Sequence, residues 1–454
     1  MLLRFRVANH TSIRDEQEVS LIALDKHEDI ATWPVPGLNE RVLPAVAIFG
    51  ANASGKSNVI AAMAFMRDVV INSHQRWLPG DPIARSPFLL DEESGTRPST
   101  FIVDFALNDV RYEYGFSITE RAVEEEWLFD WPNRRRRTLF ERTGKEIEYG
   151  PSFPGRRAHP VDRPRSTSLL VSAGAASEHP VLFPVYEYIR FGLYPALNHT
   201  FDERLSVTMK EFSGPQAASA QALLKFADLG IVDLEIKKQA DYLAESVETM
   251  RTQISLDGES DLDELGRLVV SMIEKAPTRF PDVDPADPRG LSFRLNLTHR
   301  ASASAVAPRL PLDQESSGTS TWLGLIGPTL EALRDGTVMI VDELDAHLHP
   351  HLAARLIGLF QSETTNPHGA QLVFNTHDVT LMSPSVSNRL HRDQVIFAQK
   401  DAETGVTSLY PLTEFARVRD GVDNMERWYM SGRLGAVPVF PESELDEVAE
   451  SLAG

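Results

Sequence analysis

Residues 50–57 have the types and the spacing of a loop that holds phosphate groups. They match the pattern G-x-x-x-x-G-K-[ST] with Gly50, Ala51, Asn52, Ala53, Ser54, Gly55, Lys56 and Ser57. Glycines let such a loop turn its N–H groups inward around a β-phosphate, the lysine reaches the β- and γ-oxygens, and the serine hydroxyl ligates Mg²⁺. The pattern predicts a nucleotide–magnesium site; the alternative is a glycine turn beside a surface lysine.

The second half of such a site is an apolar strand that ends in acidic residues. Residues 337–341 form an apolar run, and Asp342 and Glu343 follow it directly. Asp342 would hold Mg²⁺, and Glu343 would be the general base that polarises the attacking water. A strand ending in Asp-Glu has little specificity alone, but it gains much beside a phosphate loop in the same chain.

Three further motifs follow a fixed order around this acidic strand. Ser316, Ser317 and Gly318 precede a predicted helix over 320–334, and a Ser-Ser-Gly turn at a helix N-terminus is a phosphate-binding design. The turn LDAHLHP comes after the acids at residues 344–350. A strand over 371–375 then leads to His377, which can contact a γ-phosphate because its strand lies beside the acidic one.

Hydrophobic periodicity predicts the elements that position these motifs. A strand over 42–49, the loop and a helix over 57–71 follow one another without a gap. Alternating runs over 101–107 and 110–118 flank Asn108-Asp109, a hairpin signal, and a meander continues to residue 149. Residues 169–274 are predicted mostly helical, and strands and helices alternate from residue 293 to about residue 412.

This order predicts an α/β head that is split by a long insertion. We expect an N-terminal lobe with the phosphate loop over 1–118 and an insertion over 119–290, first a β-meander and then helical. A C-terminal lobe over 291–454 would carry the Ser-Ser-Gly turn, the acidic strand and His377.

Composition limits the class of protein. The chain has 454 residues, 42% apolar and 24% charged, which is ordinary for a globular protein. It has no cysteine, which excludes disulfides, thiolate metal sites and a cysteine nucleophile and fits a reducing cytoplasm. No run of about 18 apolar residues exists to span a membrane, and Arg4 and Arg6 stand where a signal peptide needs apolar residues.

The charge distribution bears on nucleic acid. The formal net charge of −20 argues against a general DNA-coating protein, because phosphate affinity needs clustered Lys and Arg. Arg134–Arg137 nevertheless lie in a local stretch with ten basic residues and four acidic ones over 131–167. This stretch predicts contact with DNA, RNA or an acidic partner, or else a solvated hairpin tip. The nearby Trp127, Phe129 and Trp131 are candidates for base stacking or for core packing.

Alternating histidines raise a rival enzyme class. His347, His349 and His351, with His377 and Asp342, have the residue types of a metal cluster, so a metal-dependent hydrolase is the alternative. We favour a turn at this place, because the three histidines directly follow the Asp-Glu strand and Pro350 begins a helix there.

Taken together, the ordered motifs resemble the ABC-type ATPase heads of the RecF, SMC, Rad50 and OLD kind. The resemblance implies a P-loop NTPase fold of ABC type, with a mixed sheet, a β-rich N-terminal lobe and a mainly helical insertion. It implies ATP and Mg²⁺ as cofactors, and it extends the nucleotide contacts to Asn58. In these families two heads sandwich two ATP molecules, so Ser316, Ser317 and Gly318 would contact the partner's ATP, Asp345 would be the D-loop residue and His377 the switch histidine.

A narrower resemblance rests on softer patterns, over 224–231 and 392–438. These look like the small ATPase subunits of bacterial anti-phage operons, of the RloA-like, PARIS AriA-like and Septu PtuA-like kinds. The resemblance implies a separate effector protein, with Toprim, RloB-type and HNH nucleases as candidates, because the 77 residues after His377 leave no room for a Toprim domain. The sequence departs from the superfamily in two ways. It has no glutamine over 77–214 for the usual role of sensing Mg²⁺ and the γ-phosphate, and it has no long heptad segment.

We therefore expect an ATPase that forms a homodimer or a higher even oligomer through ATP and uses hydrolysis to gate or hold an effector. Two alternatives remain open. One is a RecF-like repair ATPase, which would bind DNA in an ATP- and salt-dependent way. The other is a nucleotide-dependent scaffold with negligible turnover.

Overall fold

A computed structural model describes residues 1–77, 82–154, 164–227, 229–238, 293–300, 307–420, 422–438 and 451–452. The chain divides into two units, one of Met1–Asn198 with Glu331–Gly454 and one of His199–Leu330. The division expected from the sequence, at residues 118 and 290, is a different one and stays a prediction. The expected helical content over 239–274 lies outside the described residues.

An antiparallel sheet of seven strands belongs to the first unit. Its spatial order is β10-β9-β8-β7-β6-β1-β2, with β1 (Leu2–Ala8), β2 (Gln17–Ser20), β6 (Ser99–Leu107), β7 (Val110–Ile118), β8 (Val123–Trp131), β9 (Arg137–Thr143) and β10 (Glu146–Tyr149). Asn108 and Asp109 both have positive φ, 49° and 60°, which the two-residue hairpin between β6 and β7 requires. The meander expected from the sequence is confirmed.

A second sheet of the first unit carries the phosphate loop. Its order is β11-β15-β16-β5-β17-β18, with β5 (Ala45–Phe49), β11 (Leu193–Ala196), β15 (Val338–Val341), β16 (Gln371–Asn375), β17 (Val395–Lys400) and β18 (Thr407–Pro411). Neighbours pair in parallel except β17 and β18. Every residue of β5, β15 and β16 is buried, which explains their continuous apolar runs. The α/β fold with a mixed sheet is confirmed.

The first unit also holds the helices α1 (Lys56–Asn72), α2 (Leu170–Ala176) and α3 (Leu182–Gly192). Side chains of α1, including Val59, Ile60 and Met63, lie in the same buried apolar cluster as Phe5 of β1 and Val46 of β5. Burial of such side chains stabilises the fold by about 1.5–3 kcal/mol each. The cluster thus fixes the helix that follows the phosphate loop.

The mainly helical stretch predicted over 169–274 includes strands that periodicity did not reveal. β11 begins at Leu193, directly after α3, and pairs with β15 at the edge of the parallel sheet. A strand over Ile231–Lys238 (β12) also falls within that stretch. The prediction of helices is therefore correct for α2 and α3 and for the two helices that the second unit has in this stretch. It is incomplete because it leaves out the strands β11 and β12.

The second unit contains α4 (Phe201–Ser213), α5 (Ala217–Phe226) and an antiparallel sheet of β12, β13 (Phe293–His299) and β14 (Arg309–Pro311). The next helix, α6 (Ser317–Asp335), begins in this unit and ends in the first. A Cβ on Gly327 would lie 2.4 Å from the backbone nitrogen of Thr208, so only glycine permits this close approach of α6 to α4. The Thr208 hydroxyl donates to the Leu323 carbonyl at 2.7 Å and accepts from the Gly327 N–H.

Smaller elements complete the first unit: the strand pair β3 (Trp33–Pro34) and β4 (Arg41–Val42), and the helices α7 (Pro350–Gln361) and α8 (Met425–Met430). Within the described residues, none of the helices is long and apolar enough to cross a membrane.

Candidate functional site

The phosphate loop joins β5 to α1, as the sequence predicts, and its backbone requires small residues. Gly55 adopts a left-handed conformation with φ 102°. A Cβ on Gly55 would lie 2.2 Å from the Thr407 hydroxyl, and one on Gly50 would lie 2.3 Å from the Ala398 carbonyl oxygen. Ala53 also has a positive φ, 61°. The two glycines of the motif are thus required by close packing against β17 and β18.

The strand β18 and the segment after α8 hold the loop from behind. Thr407 donates from its hydroxyl to the Ser54 carbonyl at 2.9 Å, and the Ala51 N–H donates to the Ala436 carbonyl at 2.9 Å. Asn58, expected at the nucleotide, donates its side-chain amide to the Ser12 hydroxyl at 2.7 Å. The Asn58 side chain therefore braces α1 against the loop that follows β1.

Lys56 is folded back onto its own loop. Its ammonium group donates to the carbonyls of Gly50 and Ala51 at 2.7 and 2.8 Å, and the residue is 4% exposed. Burial lowers the pKa of Lys56 from 10.5 to about 8, while the nearby carboxylates, chiefly Asp345 and Glu343, act in the opposite direction. An anion placed in the loop would raise this pKa again, because an opposite charge favours the protonated lysine.

The carboxyl ends of three neighbouring strands bring the acidic residues to the loop. β16 lies between β15 and β5, and Val341 pairs with Phe374, which pairs with Ala47. Residues that follow these strands therefore lie together at the carboxyl end of the sheet, where α/β sheets usually bind their ligands. Asp342, which follows β15, and the phosphate loop, which follows β5, both lie at this end.

Asn375, the last residue of β16, ties the two halves of the site together. Its amide nitrogen donates to Ser57 Oγ at 3.1 Å and to Asp342 Oδ1 at 2.7 Å, and its side-chain oxygen accepts from the backbone N–H of Glu343. The residue is fully buried. Sequence reasoning did not identify Asn375, although its place at the end of the strand before His377 was visible.

Ser57 and Asp342 fit a magnesium ion by the chemistry of their atoms. Both offer hard oxygens, which Mg²⁺ prefers, and both oxygens lie within hydrogen-bond distance of the single Asn375 amide nitrogen. Mg²⁺ keeps several waters and takes few protein ligands, so a hydroxyl and a carboxylate beside a triphosphate are sufficient.

The turn after the acidic strand positions the remaining residues. Glu343 has a positive φ of 53°, and its carboxylate accepts from the Asn198 side-chain amide at 3.3 Å. The carboxylate of Asp345 accepts the backbone N–H of His377, at 3.2 Å from each oxygen. His377 itself is exposed. The structure thus brings Lys56, Glu343, Asp345 and His377 into one unit, and it adds Asn198, which sequence reasoning also missed.

The Ser-Ser-Gly turn belongs to the second unit, at the start of α6. The Ser316 side chain accepts the backbone N–H of Thr319 at 3.1 Å and pairs with the Thr319 hydroxyl at 2.9 Å, the bonding of an N-cap residue. Ser317 is exposed and Gly318 is partly exposed. Ser316 is therefore occupied as the helix cap, and Ser317 is the hydroxyl of the turn that faces solvent.

The alternating histidines have a structural explanation. His349 caps α7 by accepting the His351 N–H at 3.2 Å, and the two rings stack at 5.3 Å. Among the described residues, the sole grouping of three or more ligand side chains is elsewhere, at His27, Asp29 and His391. The geometry of the site gives no support to a metal-dependent hydrolase at His347–His351.

The basic hairpin between β8 and β9 is partly neutralised. Arg137 pairs with the buried Asp130, and Arg136 lies over the Phe129 ring at 3.6 Å. Arg111 covers the Trp131 ring at 4.2 Å. Arg134 and Arg135 are exposed. The aromatic rings are therefore engaged by protein groups, and contact of Arg134–Arg137 with nucleic acid stays a prediction.

Comparison with protein families gives one match that spans most of the site. A family described as "AAA domain, putative AbiEii toxin, Type IV TA system" matches residues 45–383, from β5 to beyond His377. No curated protein matches the sequence.

The fold is similar to several solved structures of low sequence identity. An SMC head bound to the C-winged helix domain of ScpA is 11% identical with a TM-score of 0.41, over 92% of this chain and 99% of that one. The SMC head domain from Thermotoga maritima is 12% identical with a TM-score of 0.38, over 90% and 98%. An Smc head with an extended coiled coil, derived from Pyrococcus furiosus, is 12% identical with a TM-score of 0.38, over 92% and 98%.

Proposed function

Because the chain belongs to the family of AAA domains whose model spans residues 45–383, we propose that it is an ABC-type ATPase that uses ATP to drive a conformational change. Binding of ATP with Mg²⁺ closes two heads, and hydrolysis releases them. The observation that carries the proposal is the position of Asn375, which connects Ser57 of the phosphate loop to Asp342 and Glu343 of the acidic strand.

The chemistry assigned to each residue follows from its place around that point. The backbone N–H groups of the phosphate loop and the Lys56 side chain bind the β- and γ-phosphates, while Ser57 and Asp342 hold Mg²⁺. Glu343 orients and polarises the attacking water. His377, anchored through its N–H to Asp345, contacts the γ-phosphate and reports its presence to the turn that follows β15.

Head closure is the second part of the proposal. Each chain offers one phosphate loop and one Ser-Ser-Gly turn, so a two-fold dimer can complete two sites with Ser317 and Gly318 of the opposite chain. The support is the motif order, and the exposure of Ser317, which leaves its hydroxyl free to meet a ligand. The capped N-terminus of α6 presents a positive dipole to an incoming phosphate.

The third part concerns what the ATPase drives. We place it in a bacterial anti-phage system, where closed heads hold or release a separate effector, with a nuclease of the Toprim, RloB or HNH type as the candidate. The support is the resemblance to small defence ATPases and the family description, which names a toxin of a type IV toxin–antitoxin system. The cytoplasm is the expected compartment.

The test is phosphate release by the pure protein with ATP and Mg²⁺. We expect measurable turnover in the wild type and a loss of about 10²–10⁴-fold in Glu343→Gln, because the general base is removed while the size and shape of the side chain are kept. Lys56→Ala should lose both binding and turnover. The matched control is Glu363→Gln, because Glu363 is an exposed acid after the end of α7 that has no role in the proposed site. Turnover that is absent in the wild type, although ATP binds, would replace the ATPase by a nucleotide-dependent scaffold.

A further inference from the structure

A cluster of histidine and aspartate side chains lies in the first unit, among residues that the proposed ATP site does not use. His27 and Asp29 come from the segment between β2 and β3, and His391 comes from the segment before β17. Each of the three offers one ligand atom, and these atoms lie within 4.8 Å of one another. Two imidazoles and a carboxylate are a common donor set for Zn²⁺ and other first-row divalent ions.

The spacing fits two ligands of one ion. His391 Nε2 and Asp29 Oδ2 are 3.2 Å apart. Two atoms that each bind a tetrahedral Zn²⁺ at about 2.0–2.1 Å stand about 3.3 Å apart. The His27 and His391 rings meet edge to face, with centroids 4.8 Å apart. Small shifts of side chains would therefore bring all three donors onto a common centre.

Each imidazole is already oriented by a second carboxylate, as metal-binding histidines usually are. His391 Nδ1 pairs with Asp420 at 2.5 Å, which leaves Nε2 for an ion. His27 Nε2 pairs with Asp393 at 2.9 Å, which leaves Nδ1. Both imidazole side chains are almost fully buried, 2% and 5% exposed, whereas Asp29 is 67% exposed and gives an ion access from solvent.

The local charge is also unbalanced in the sense that a cation corrects. Four carboxylates meet two guanidinium groups in this cluster: Asp25, Asp29, Asp393 and Asp420 with Arg389 and Arg392. With neutral imidazoles an excess of two negative charges remains. The carboxylate of Asp393 is 1% exposed, and its Oδ1 has no hydrogen-bond partner among the described residues. Its Oδ2 accepts the backbone N–H groups of Leu24 and Asp25 and pairs with the His27 ring, so the carboxylate is only partly satisfied. A proton or a divalent ion in the cluster would offset the excess negative charge.

We propose that His27, Asp29 and His391 form a binding site for a divalent metal ion of the Zn²⁺ type. The ion would be structural. It would join the segment after β2 to the segment that enters β17, the strand next to the phosphate-loop strand β5. This site is separate from the magnesium site at Ser57 and Asp342, and it does not depend on the ATPase proposal.

The experiment is a metal titration of the untagged full chain after treatment with a chelator. Zn²⁺ is added without nucleotide and with excess Mg²⁺ to fill the oxygen-ligand site, and bound zinc is measured by elemental analysis after gel filtration. We expect one Zn²⁺ per chain in the wild type. His27→Ala and His391→Ala should weaken binding more than 100-fold. Asp420→Asn, which leaves the three ligands in place and replaces the carboxylate that orients His391, should weaken it about 10- to 100-fold.

The matched control removes the other histidine group. The combined variant His347→Ala, His349→Ala and His351→Ala should still bind one Zn²⁺. Co²⁺ provides a readout on the wild type alone, since a tetrahedral nitrogen–oxygen site gives visible absorption bands that Zn²⁺ then displaces. No bound zinc and no cobalt bands in the folded wild type would overturn the proposal and leave protonated histidines as the balancing charge. Zinc binding that survives in His391→Ala, or disappears in the triple control, would also overturn it.

Discussion

At the scale of single residues, Asn375 is the point on which the site depends. A buried side-chain amide has one acceptor and two donor hydrogens, and here these meet the Glu343 backbone, Ser57 and Asp342. If Asp342 moved, the amide would lose a charge-assisted hydrogen bond, so the distance between loop and acidic strand is held by more than strand pairing. In the proposed function, in which Ser57 and Asp342 hold Mg²⁺, Asn375 is a positioning residue for these two ligands.

Asn375→Leu should therefore change the response to magnesium more than the fold. We expect kcat/KM for ATP to fall about 10- to 100-fold and the half-saturating Mg²⁺ concentration to rise about 10-fold, the effect of losing a residue that orients metal ligands. The measurement is phosphate release across a Mg²⁺ series.

Asn366 offers a matched control, since it is also fully buried and its side chain also makes three hydrogen bonds, here with the Phe360 carbonyl and with the carbonyl and N–H of Ala370. Asn366→Leu should lower the melting temperature and leave the Mg²⁺ dependence unchanged. An equal shift of the Mg²⁺ midpoint in both variants would show that Asn375 contributes only stability.

Lys56 gives the second residue-scale prediction. Its pKa is lowered to about 8 by burial, and bound phosphate would raise that pKa again because an opposite charge favours the protonated lysine. Nucleotide binding should therefore take up protons above about pH 8 and almost none at pH 7, and affinity should fall as pH rises through this range.

Calorimetry of ATP binding in two buffers of different ionisation enthalpy measures this uptake, in a Glu343→Gln background that prevents hydrolysis. Lys56→Arg keeps its charge at these pH values, so its binding should show no such uptake. The same proton uptake in Lys56→Arg would assign it to another group.

At the scale of elements, the phosphate loop is shaped by the strands behind it. Gly55→Ala would force a left-handed residue to carry a Cβ that meets Thr407 at 2.2 Å. We expect a loss of about 1–3 kcal/mol from the backbone conformation alone, and a loss of nucleotide binding because the loop must shift. Gly95→Ala is the control, since nothing lies within 4 Å of its added Cβ and no positive φ is required. Thermal unfolding and nucleotide titration compare them; wild-type binding in Gly55→Ala would contradict this account.

How far the elements follow from the sequence depends on their burial. The bounds of β16 and the ends of α1 are predicted within a residue, because a buried parallel strand has a continuous apolar run and a helix has its own period. β11 was missed because it is four residues long and follows α3 without a turn signal. Its Pro195 is tolerated only because the strand lies at the sheet edge.

The candidate site was predictable where a motif has a fixed spacing and not where distant strands meet. Gly50–Ser57 and the Asp342-Glu343 pair are local patterns. Asn375 and Asn198 act through contacts 33 and 145 residues away in sequence, at Asp342 and Glu343, and nothing local signals those contacts. Thr407 likewise contacts Gly55 only because β17 and β18 pair beside β5 in the sheet, which no local pattern reveals. The described structure supplies these long-range partners.

At the scale of the whole molecule, the account requires two chains for each site. Lys56→Ala should inactivate the phosphate loop of its own chain, and Ser317→Arg should block the turn offered to the other chain. Each variant alone should be nearly inactive. An equal mixture should regain part of the activity, because a mixed dimer holds one site with an intact loop and an intact turn.

The mixture is assayed by phosphate release, and Ser320→Arg, in the next turn of α6, is the control for the added charge. Activity of the mixture equal to the sum of the two variants alone would place both elements in the same chain.

The most direct test of the central claim is the mass of the protein in solution, measured by light scattering for wild type and Glu343→Gln with and without ATP and Mg²⁺. Blocked hydrolysis should trap closed heads, so we predict that Glu343→Gln gains mass in even multiples of the 50.6 kDa chain only when ATP is present. A mass that ATP leaves unchanged in both proteins, with ATP shown to be bound, would contradict the claim that ATP brings two heads together.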